Sequence, residues 1–250
     1  MTADKRELQQ SQAGSLSSQI EKTKTRAKSY VMDLRVQSPA SNTYLGIDGL
    51  DSAPAIVRLA KVKGLDVIAI TDFYSAEFVD RMVDAAKSSP LTVIPGVSLR
   101  CKVGSCSEVI LSCLFPESVS GADITRFLRD IQVPAIAQGN AEYVVGVSLD
   151  EVLHALSKLQ GIAIPSRLDK TPHRSSVIPE LVENYGFRAF DLAYADSASY
   201  FKKRWPKMKF QLFTFSDANA LAQIGSRNVK VKLHNPGFAG IRELADRERL

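Results

Sequence analysis

The feature that most constrains the fold of this chain is the alternation of short β-rich runs with amphipathic helical stretches from residue 30 onward. The runs that we predict to be strands are Tyr30–Val36, Asp66–Ile70, Leu91–Ile94, Val109–Phe115, Gly161–Pro165, Ala189–Ala193, Phe210–Phe215 and Val229–Leu233. The stretches that we predict to be helices are Ala53–Lys63, Ala76–Lys87, Asp123–Ile131, Leu149–Leu159, Ile178–Tyr185 and Ser197–Trp205. Strands that alternate with helices form βα units and a mostly parallel sheet. About seven such units predict an α/β sheet that closes into a barrel.

Three glycines stand where predicted helices end. Gly64, Gly161 and Gly186 each separate a helical stretch from the next β-rich run. A helix commonly ends at a residue in the left-handed conformation, which glycine adopts without a steric penalty. We therefore predict a left-handed C-terminal cap at each of the three.

The length and composition indicate one globular domain. The chain has 250 residues, of which 45% are hydrophobic and 24% charged, and a single α/β barrel often has this length. Residues 1–28, rich in Gln, Ser, Lys and Glu, predict a flexible or helical N-terminal arm, followed by a barrel domain over residues 29–250. Residues 117–148 fit the alternation poorly and indicate an insertion. No apolar run predicts a membrane span and the N-terminus is too polar for a signal peptide, so we expect a cytoplasmic protein.

Cysteine content and charge restrict the remaining classes. Cys101, Cys106 and Cys113 match no common zinc spacing, and we expect small thiols that are buried or half-buried. The net charge of +5 and the pI near 9.1 permit binding to phosphates or nucleic acid without requiring it. Much of the excess lies in two segments, Lys22–Lys28 and Phe201–Lys209. Solvated surfaces and a nucleic-acid groove both explain such clusters.

Functional side chains of α/β barrels lie at the carboxyl ends of the strands. The segments that follow predicted strands here are Gln37–Ser41, Thr71–Tyr74, Gly96–Arg100, Pro165–Lys170 and Ser216–Asn219. The position of these segments follows from the predicted strands alone. We therefore predict that they meet at one mouth of the barrel.

The same five segments carry recognisable motifs. Residues 33–41 read DLRVQSPAS, residues 63–73 KGLDVIAITDF, residues 93–98 VIPGVS, residues 161–170 GIAIPSRLDK and residues 216–219 SDAN. In order and spacing they resemble D-L-H-x-H-S, K-G-L-D-x-I-A-I-T-D-H, V-I-P-G-x-E, G-I-x-I-P-A-H-x-D-K and S-D-A-H of the PHP (polymerase and histidinol phosphatase) family. A weaker match places Ile110 where the family has a histidine. The resemblance extends from about residue 30 to residue 245.

The resemblance implies a metallophosphoesterase with a distorted (β/α)7, TIM-like barrel and a cluster of two or three divalent metal ions. The ligands of that cluster are imidazoles and carboxylates. At the matching positions this chain has Arg35, Gln37, Phe73, Ser98, Ile110, Arg167 and Asn219. Arginine is a cation without a lone pair to offer, and phenylalanine and isoleucine do not coordinate metals. We therefore expect no metal cofactor and no hydrolysis of the family type, and we assign no catalytic residue.

Few metal-binding side chains remain near the matched positions. Asp72, Asp169 and Asp217 are the anionic candidates, and the resemblance identifies Asp217 as a retained ligand position, with Asp33 a structural member of the first motif. The three histidines, which are His154, His173 and His234, lie outside the matched ligand positions.

Two interpretations of the altered site stay open. In the first, Arg35 and Arg167 pair with Asp217, Asp72 or Asp169 and fill the mouth with salt bridges. In the second, these arginines, with Arg100 or Lys170, bind a phosphate-containing ligand, and Ser98, Gln37 and Asn219 supply neutral hydrogen bonds.

Three functions follow as hypotheses. The first is a pseudo-phosphoesterase that acts by binding, either a protein through the N-terminal arm or a phosphate-containing ligand at the mouth. The second is a residual or altered phosphoesterase that holds Mg²⁺ or Mn²⁺ on Asp72, Asp169 and Asp217. The third is a nucleic-acid-binding accessory domain, because PHP modules elsewhere accompany DNA-processing proteins.

Overall fold

The computed structural model describes residues 26–246, and the predicted N-terminal arm lies almost wholly outside this range. The strands are β1 Lys28–Val36, β2 Val67–Ile70, β3 Thr92–Val103, β4 Cys106–Leu114, β5 Ile162–Ser166, β6 Ala189–Asp191, β7 Gln211–Phe213 and β8 Val229–Leu233. The helices are α1 Ser52–Val62, α2 Val79–Ala86, α3 Gly121–Asp130, α4 Leu149–Lys158, α5 Pro172–Ser175, α6 Ile178–Glu183, α7 Ala198–Arg204 and α8 Phe238–Ala245. No helix within the described range has both the length and the apolar character needed to cross a membrane.

The strands form one mixed sheet in the order β7-β6-β5-β4-β3-β2-β1-β8. The pairs β1–β2, β2–β3, β5–β6 and β6–β7 are parallel, whereas β4 is antiparallel to both of its neighbours. Strand β8 runs antiparallel to the first half of β1, where Lys28 faces Leu233 and Met32 faces Val229.

The chain that follows β7 closes the sheet against the second half of β1. The Gln37 N–H donates to the Ala218 carbonyl at 2.8 Å, and the Ala218 N–H donates to the Arg35 carbonyl at 3.0 Å. Strand β1 is thus bordered by β8 at its start and by residue 218 at its end. This pairing closes the sheet into a distorted barrel and confirms the predicted fold class.

One predicted strand end is wrong. Gly96–Arg100 was expected to follow a strand, but it lies inside the twelve-residue strand β3. Val97, Leu99, Cys101 and Val103 alternate with the polar residues Ser98, Arg100 and Lys102, which is the period of a strand, and the chain returns as β4 through a turn with Gly104 at φ +54°. A β-hairpin therefore stands where strict βα alternation would require a helix.

Two of the three predicted glycine caps are confirmed. Gly64 and Gly186 have φ values of +71° and +72°, whereas at Gly161 the left-handed residue is its predecessor, Gln160, with φ +55°. At position 161 a glycine is required for close packing, since a Cβ there would lie 3.0 Å from the Leu114 carbonyl oxygen and 2.5 Å from a Leu156 methyl carbon. The glycine lets the chain pass closely between α4 and β4.

Local sequence explains where the longer helices begin. Ser120 and Ser148 each accept a hydrogen bond from the backbone three residues later, and Asp123 and Glu151 bond back, so α3 and α4 both start with a capping box. Helices α5 and α8 were not predicted. Helix α3 lies within the predicted insertion, residues 117–148, and irregular chain leads from it to α4.

The core has an inner and an outer part. The inner core is formed by side chains such as Met32, Leu34, Ala69, Ile94 and Phe213. Phe238, Ile241 and Leu244 of α8 also belong to it. The outer core consists of two further clusters, which lie between the sheet and the surrounding helices. The three cysteines are free and buried, as expected.

Candidate functional site

Arg35 lies at the centre of the barrel mouth. Its side chain extends from the end of β1, where the register with β2 is irregular, and only 2% of the residue is exposed. One terminal nitrogen, Nη1, lies 3.2 Å from Asp191 Oδ2, and the other, Nη2, lies 2.7 Å from Asp217 Oδ1. Burial alone would lower the pKa of Arg35, but Asp217 and Asp191 raise it above its ordinary value. The guanidinium is therefore a fixed cation held by two carboxylates.

Asp191, which the sequence motifs did not identify, is the second member of this cluster. It ends β6, is 1% exposed, and accepts a hydrogen bond from the Phe215 N–H at 2.8 Å. Its Oδ2 also lies 3.5 Å from Arg167 Nε. The available signal was an acidic residue inside the apolar run Ala189–Ala193, since a buried carboxylate requires a cation or hydrogen-bond donors.

Arg167 is the second cation. It follows β5 in the left-handed conformation, with φ 57°, and its Nη2 donates to the Phe215 carbonyl at 2.7 Å. Burial lowers its pKa, Asp191 opposes that effect, and neighbouring Arg35 adds to it. The side chain keeps 13% of its surface exposed. The ion pair of Arg167 with Asp191 is therefore longer and weaker than the ion pairs of Arg35 with Asp191 and Asp217.

Left-handed backbone recurs at the barrel mouth. Tyr74, Arg167 and Asp217 follow β2, β5 and β7, and their φ values are 52°, 57° and 57°. Residues with a side chain adopt this conformation at an energetic cost, and such residues cluster at functional sites.

Of the three carboxylates offered as partners of the arginines, Asp217 pairs with Arg35, whereas Asp72 and Asp169 have other partners. Asp72 accepts hydrogen bonds from the Ser38 N–H and the Ser41 hydroxyl, each at 2.7 Å. Asp169 accepts from the N–H groups of Ala193 and Tyr194, at 2.7 and 2.9 Å. Nearby backbone and hydroxyl donors thus satisfy both carboxylates, and both hold loops at the mouth.

The neutral candidates mostly bind the protein itself. Gln37 Oε1 accepts from the Thr43 hydroxyl at 2.6 Å, and Asn219 Nδ2 donates to the Thr43 carbonyl at 2.9 Å. Ser98 is buried and pairs through its backbone with residues 72–74. Phe73 and Ile110 belong to the outer hydrophobic core.

The other candidate cations point to different partners. Arg100 Nε donates to the Ala141 carbonyl at 2.9 Å, and its Nη2 lies 3.3 Å from Glu142. Lys170 and His173 are exposed, the first in the single helical turn after β5 and the second in α5. Arg100 therefore fixes the chain before α4 and does not join Arg35.

The residues at the mouth do not fit the metal cluster that the family resemblance implies. No group of three or more His, Cys, Asp or Glu side chains within residues 26–246 is arranged to hold a metal ion. Asp217, at the position that the resemblance matches to a family ligand, is bound by Arg35, and Arg167 adds a second positive charge nearby. Cations at ligand positions oppose a divalent ion by repulsion and supply no lone pair.

Comparison with known proteins gives likeness at the level of fold. No protein-family model matches the chain, and no curated protein matches it. Among solved structures, the chain is similar to a lesion-specific endonuclease from Pyrococcus furiosus, with 15% identity, a TM-score of 0.64, and coverage of 88% of this chain and 56% of the endonuclease. This chain thus spans about half the length of that enzyme.

Two further structures match over most of both chains. One is a proposed metal-dependent phosphoesterase from Bifidobacterium adolescentis, with 11% identity, a TM-score of 0.56, and coverage of 85% and 94%. The other is an amidohydrolase from Chromobacterium violaceum with bound sulfate and no metal, with 12% identity, a TM-score of 0.56, and coverage of 79% and 90%. The chain therefore has the fold of PHP-type phosphoesterases, as the motifs predicted.

Proposed function

We propose that this protein is a pseudo-phosphoesterase, a PHP-type barrel that does not hydrolyse phosphoesters and acts by binding. The observation that carries the proposal is the position of Arg35. Its guanidinium is bound to Asp191 and Asp217 at the mouth. The motif resemblance matches position 35 to a metal ligand of the family. Metal-dependent hydrolysis needs an ion that activates water and binds phosphoryl oxygens. A buried arginine can perform only the second of these tasks.

A phosphate-containing ligand is the binding partner that the chemistry of the mouth favours. Within the described part of the chain, the buried Nε of Arg35 has no hydrogen-bond partner, and the buried Nε of Arg167 has only the 3.5 Å ion-pair contact with Asp191. A guanidinium group binds phosphate oxygens through paired N–H donors. An amidohydrolase of the same fold has sulfate bound without a metal, which supports the idea that such a barrel can bind an oxyanion.

Metal analysis combined with a hydrolysis assay tests the loss of catalysis. The full-length protein, purified without chelators, is analysed for Zn, Fe, Mn and Mg and is assayed on bis-p-nitrophenyl phosphate with and without added Mn²⁺. We expect less than about 0.1 metal per chain and no hydrolysis above the buffer rate. Stoichiometric metal together with hydrolysis that Asp217→Asn abolishes would support the residual phosphoesterase instead.

Calorimetric titration with inorganic phosphate tests the proposed ligand. We expect saturable binding that Arg167→Gln weakens by about tenfold, because one charge-assisted hydrogen-bond pair is lost. Arg81→Gln is the matched control, since Arg81 pairs with Asp51 and both side chains are about 60% exposed. Absence of binding, or an equal loss of affinity in both variants, would contradict the phosphate ligand. It would favour the other interpretation, in which salt bridges fill the mouth.

A further inference from the structure

The segment of residues 200–210, here named the basic segment, carries a concentration of positive charge that the barrel mouth does not explain. It contains five basic residues within eight positions, which are Lys202, Lys203, Arg204, Lys207 and Lys209. Helix α7 ends inside it at Arg204, and the remaining residues lead to β7. Lysine-rich stretches of this length are typical of surfaces that bind polyanions.

Aromatic packing fixes the basic segment on the barrel. Phe201 and Trp205 are buried, and their ring centroids lie 5.1 and 5.6 Å from that of Phe210. Glu183 accepts a hydrogen bond from Trp205 Nε1 at 3.2 Å and lies 3.5 Å from Arg204 Nη2. The backbone that carries the charges is therefore ordered before any ligand binds, which lowers the entropic cost of binding.

The charges of the basic segment are poorly balanced. Lys202, Lys203 and Lys207 are exposed, and within residues 26–246 none of the three forms an ion pair. Basic residues in the last turn stabilise a helix through its dipole, and this effect accounts for Lys202 and Lys203. It does not account for Lys207, which lies beyond the helix, because the effect falls off within the last turn.

Tyr200 adds an exposed aromatic ring beside these charges. The residue is 38% exposed, and its ring meets those of Phe201 and Trp205 edge-on, at 5.7 and 6.0 Å. In an α-helix, positions 200 and 203 lie on the same side. A fixed aromatic ring among lysines matches the chemistry of single-stranded nucleic acid, whose bases stack on rings while its phosphates bind cations.

We propose that the basic segment is a binding surface for single-stranded nucleic acid, in which lysines bind the phosphodiester backbone and Tyr200 stacks on a base. The proposal does not depend on the barrel mouth, because the basic segment lies on the outer side of the barrel between β6 and β7. The phosphate titration described above therefore neither supports nor contradicts it.

Fluorescence anisotropy of a labelled 20-nucleotide DNA strand tests the proposal with the full-length protein. We expect the triple variant Lys202→Gln, Lys203→Gln, Lys207→Gln to bind about tenfold more weakly and the slope of log K against log salt to fall by about 2, as three lost phosphate contacts require. Tyr200→Leu is expected to weaken binding about fivefold or more with little change in slope, because stacking is uncharged.

Matched variants separate a local surface from net charge. Lys61, Lys63 and Lys230 are exposed, and their triple Gln variant lowers the net charge of +5 by the same three units. We expect this control to bind within about twofold of the wild type, after correction for long-range attraction. Thermal unfolding confirms that each variant is folded, and Tyr194→Leu, which alters another exposed tyrosine, is the control for Tyr200.

Four results would overturn the proposal. They are absence of binding by the wild type at 50 mM salt, equal loss in the control triple variant, tighter binding to a duplex of the same length, and equal competition by polyglutamate at matched charge. The last two would indicate a double-stranded or an acidic protein partner. Selective loss in the basic-segment variants, with preference for the single strand, supports the proposal.

Discussion

Asp72 is a buried carboxylate at the mouth, and no cation among residues 26–246 forms an ion pair with it. The Ser38 N–H and the hydroxyls of Ser38 and Ser41 donate to its oxygens. Burial raises its pKa from the ordinary 3.8 to about 6, although these hydrogen bonds act in the opposite direction. The carboxylate thus anchors the start of the loop after β1 at a cost that depends on pH.

The folded protein holds a proton on Asp72 more tightly than the unfolded chain does. Its stabilising effect is complete below about pH 4 and is lost as the pH rises through about 6. Relative to Asp72→Asn, the free energy of unfolding of the wild type should therefore fall by about 2 to 3 kcal/mol between pH 4 and pH 7. Urea denaturation of both proteins at these pH values measures the difference, and a constant difference would contradict the raised pKa.

The arginines at the mouth show what sequence motifs convey about single residues. The departures at positions 35 and 167 predicted that cations occupy the mouth, and the pair between Arg35 and Asp217 was among the expected ones. Asp191 was missed because it lies 156 positions from Arg35 in the chain, and only barrel closure brings them together. The sequence could not choose Asp217 over the alternatives Asp72 and Asp169, because no charge pattern reveals that local donors already satisfy those two carboxylates.

At the scale of elements, two loops meet across the mouth at Gly139. The Asn42 N–H donates to the Gly139 carbonyl at 2.9 Å, and the Gly139 N–H donates to the Phe73 carbonyl at 2.8 Å. Gly139 has φ +75°, and a Cβ added to it would lie 2.8 Å from the Ala40 carbonyl oxygen. The glycine therefore permits the chain before α4 to lie against the loop after β1.

We expect Gly139→Ala to lower the free energy of unfolding by about 3 kcal/mol, through left-handed strain and a clash with backbone. Gly49→Ala is the matched control, because Gly49 has φ +74° and open space where the Cβ would lie. The control should lose only the left-handed cost of about 1 to 2 kcal/mol. Chemical denaturation measures both, and equal losses would show that the contact with residues 40–42 contributes nothing.

The elements themselves were largely predictable, with one informative exception. Helices α1, α4 and α6 lie close to their predicted positions because amphipathic periods and end signals agree there. The hairpin of β3 and β4 was missed because the run after Leu91 continues as strand through Gly96. That glycine is required for packing, since a Cβ would lie 2.9 Å from the Ile70 carbonyl oxygen and 3.0 Å from that of Cys113.

At the scale of the whole molecule, Asp33 joins the first strand to the chain that follows β7 through hydrogen bonds. Its carboxylate accepts the Ser216 N–H at 3.1 Å and the Gly225 N–H at 3.0 Å, as well as the Ser216 hydroxyl. These donors lie in the chain between β7 and β8, more than 180 positions away. Burial raises the pKa of Asp33, and the same hydrogen bonds oppose the increase.

Removing this carboxylate should loosen the closure of the barrel. We expect Asp33→Ala to cost about 2 to 3 kcal/mol of unfolding free energy, because buried donors lose their acceptor. Hydrogen exchange should accelerate at the amides of Ser216, Ala218 and Gly225 more than in β3 and β4. Asp66→Ala is the control, since Asp66 is exposed and its carboxylate accepts from the Val31 N–H at 2.8 Å. Uniform acceleration across the sheet would argue against a local closure role.

The sequence by itself determined the α/β class, most element positions and the side-chain chemistry at the motif positions, because these depend on periodicity and on residue chemistry along the chain. Only the tertiary structure decided which carboxylate binds which arginine, that β4 runs antiparallel, and that residue 218 closes the sheet on β1. Those outcomes depend on contacts between segments far apart in sequence. Local preference cannot specify such contacts, because their geometry exists only once the barrel has closed.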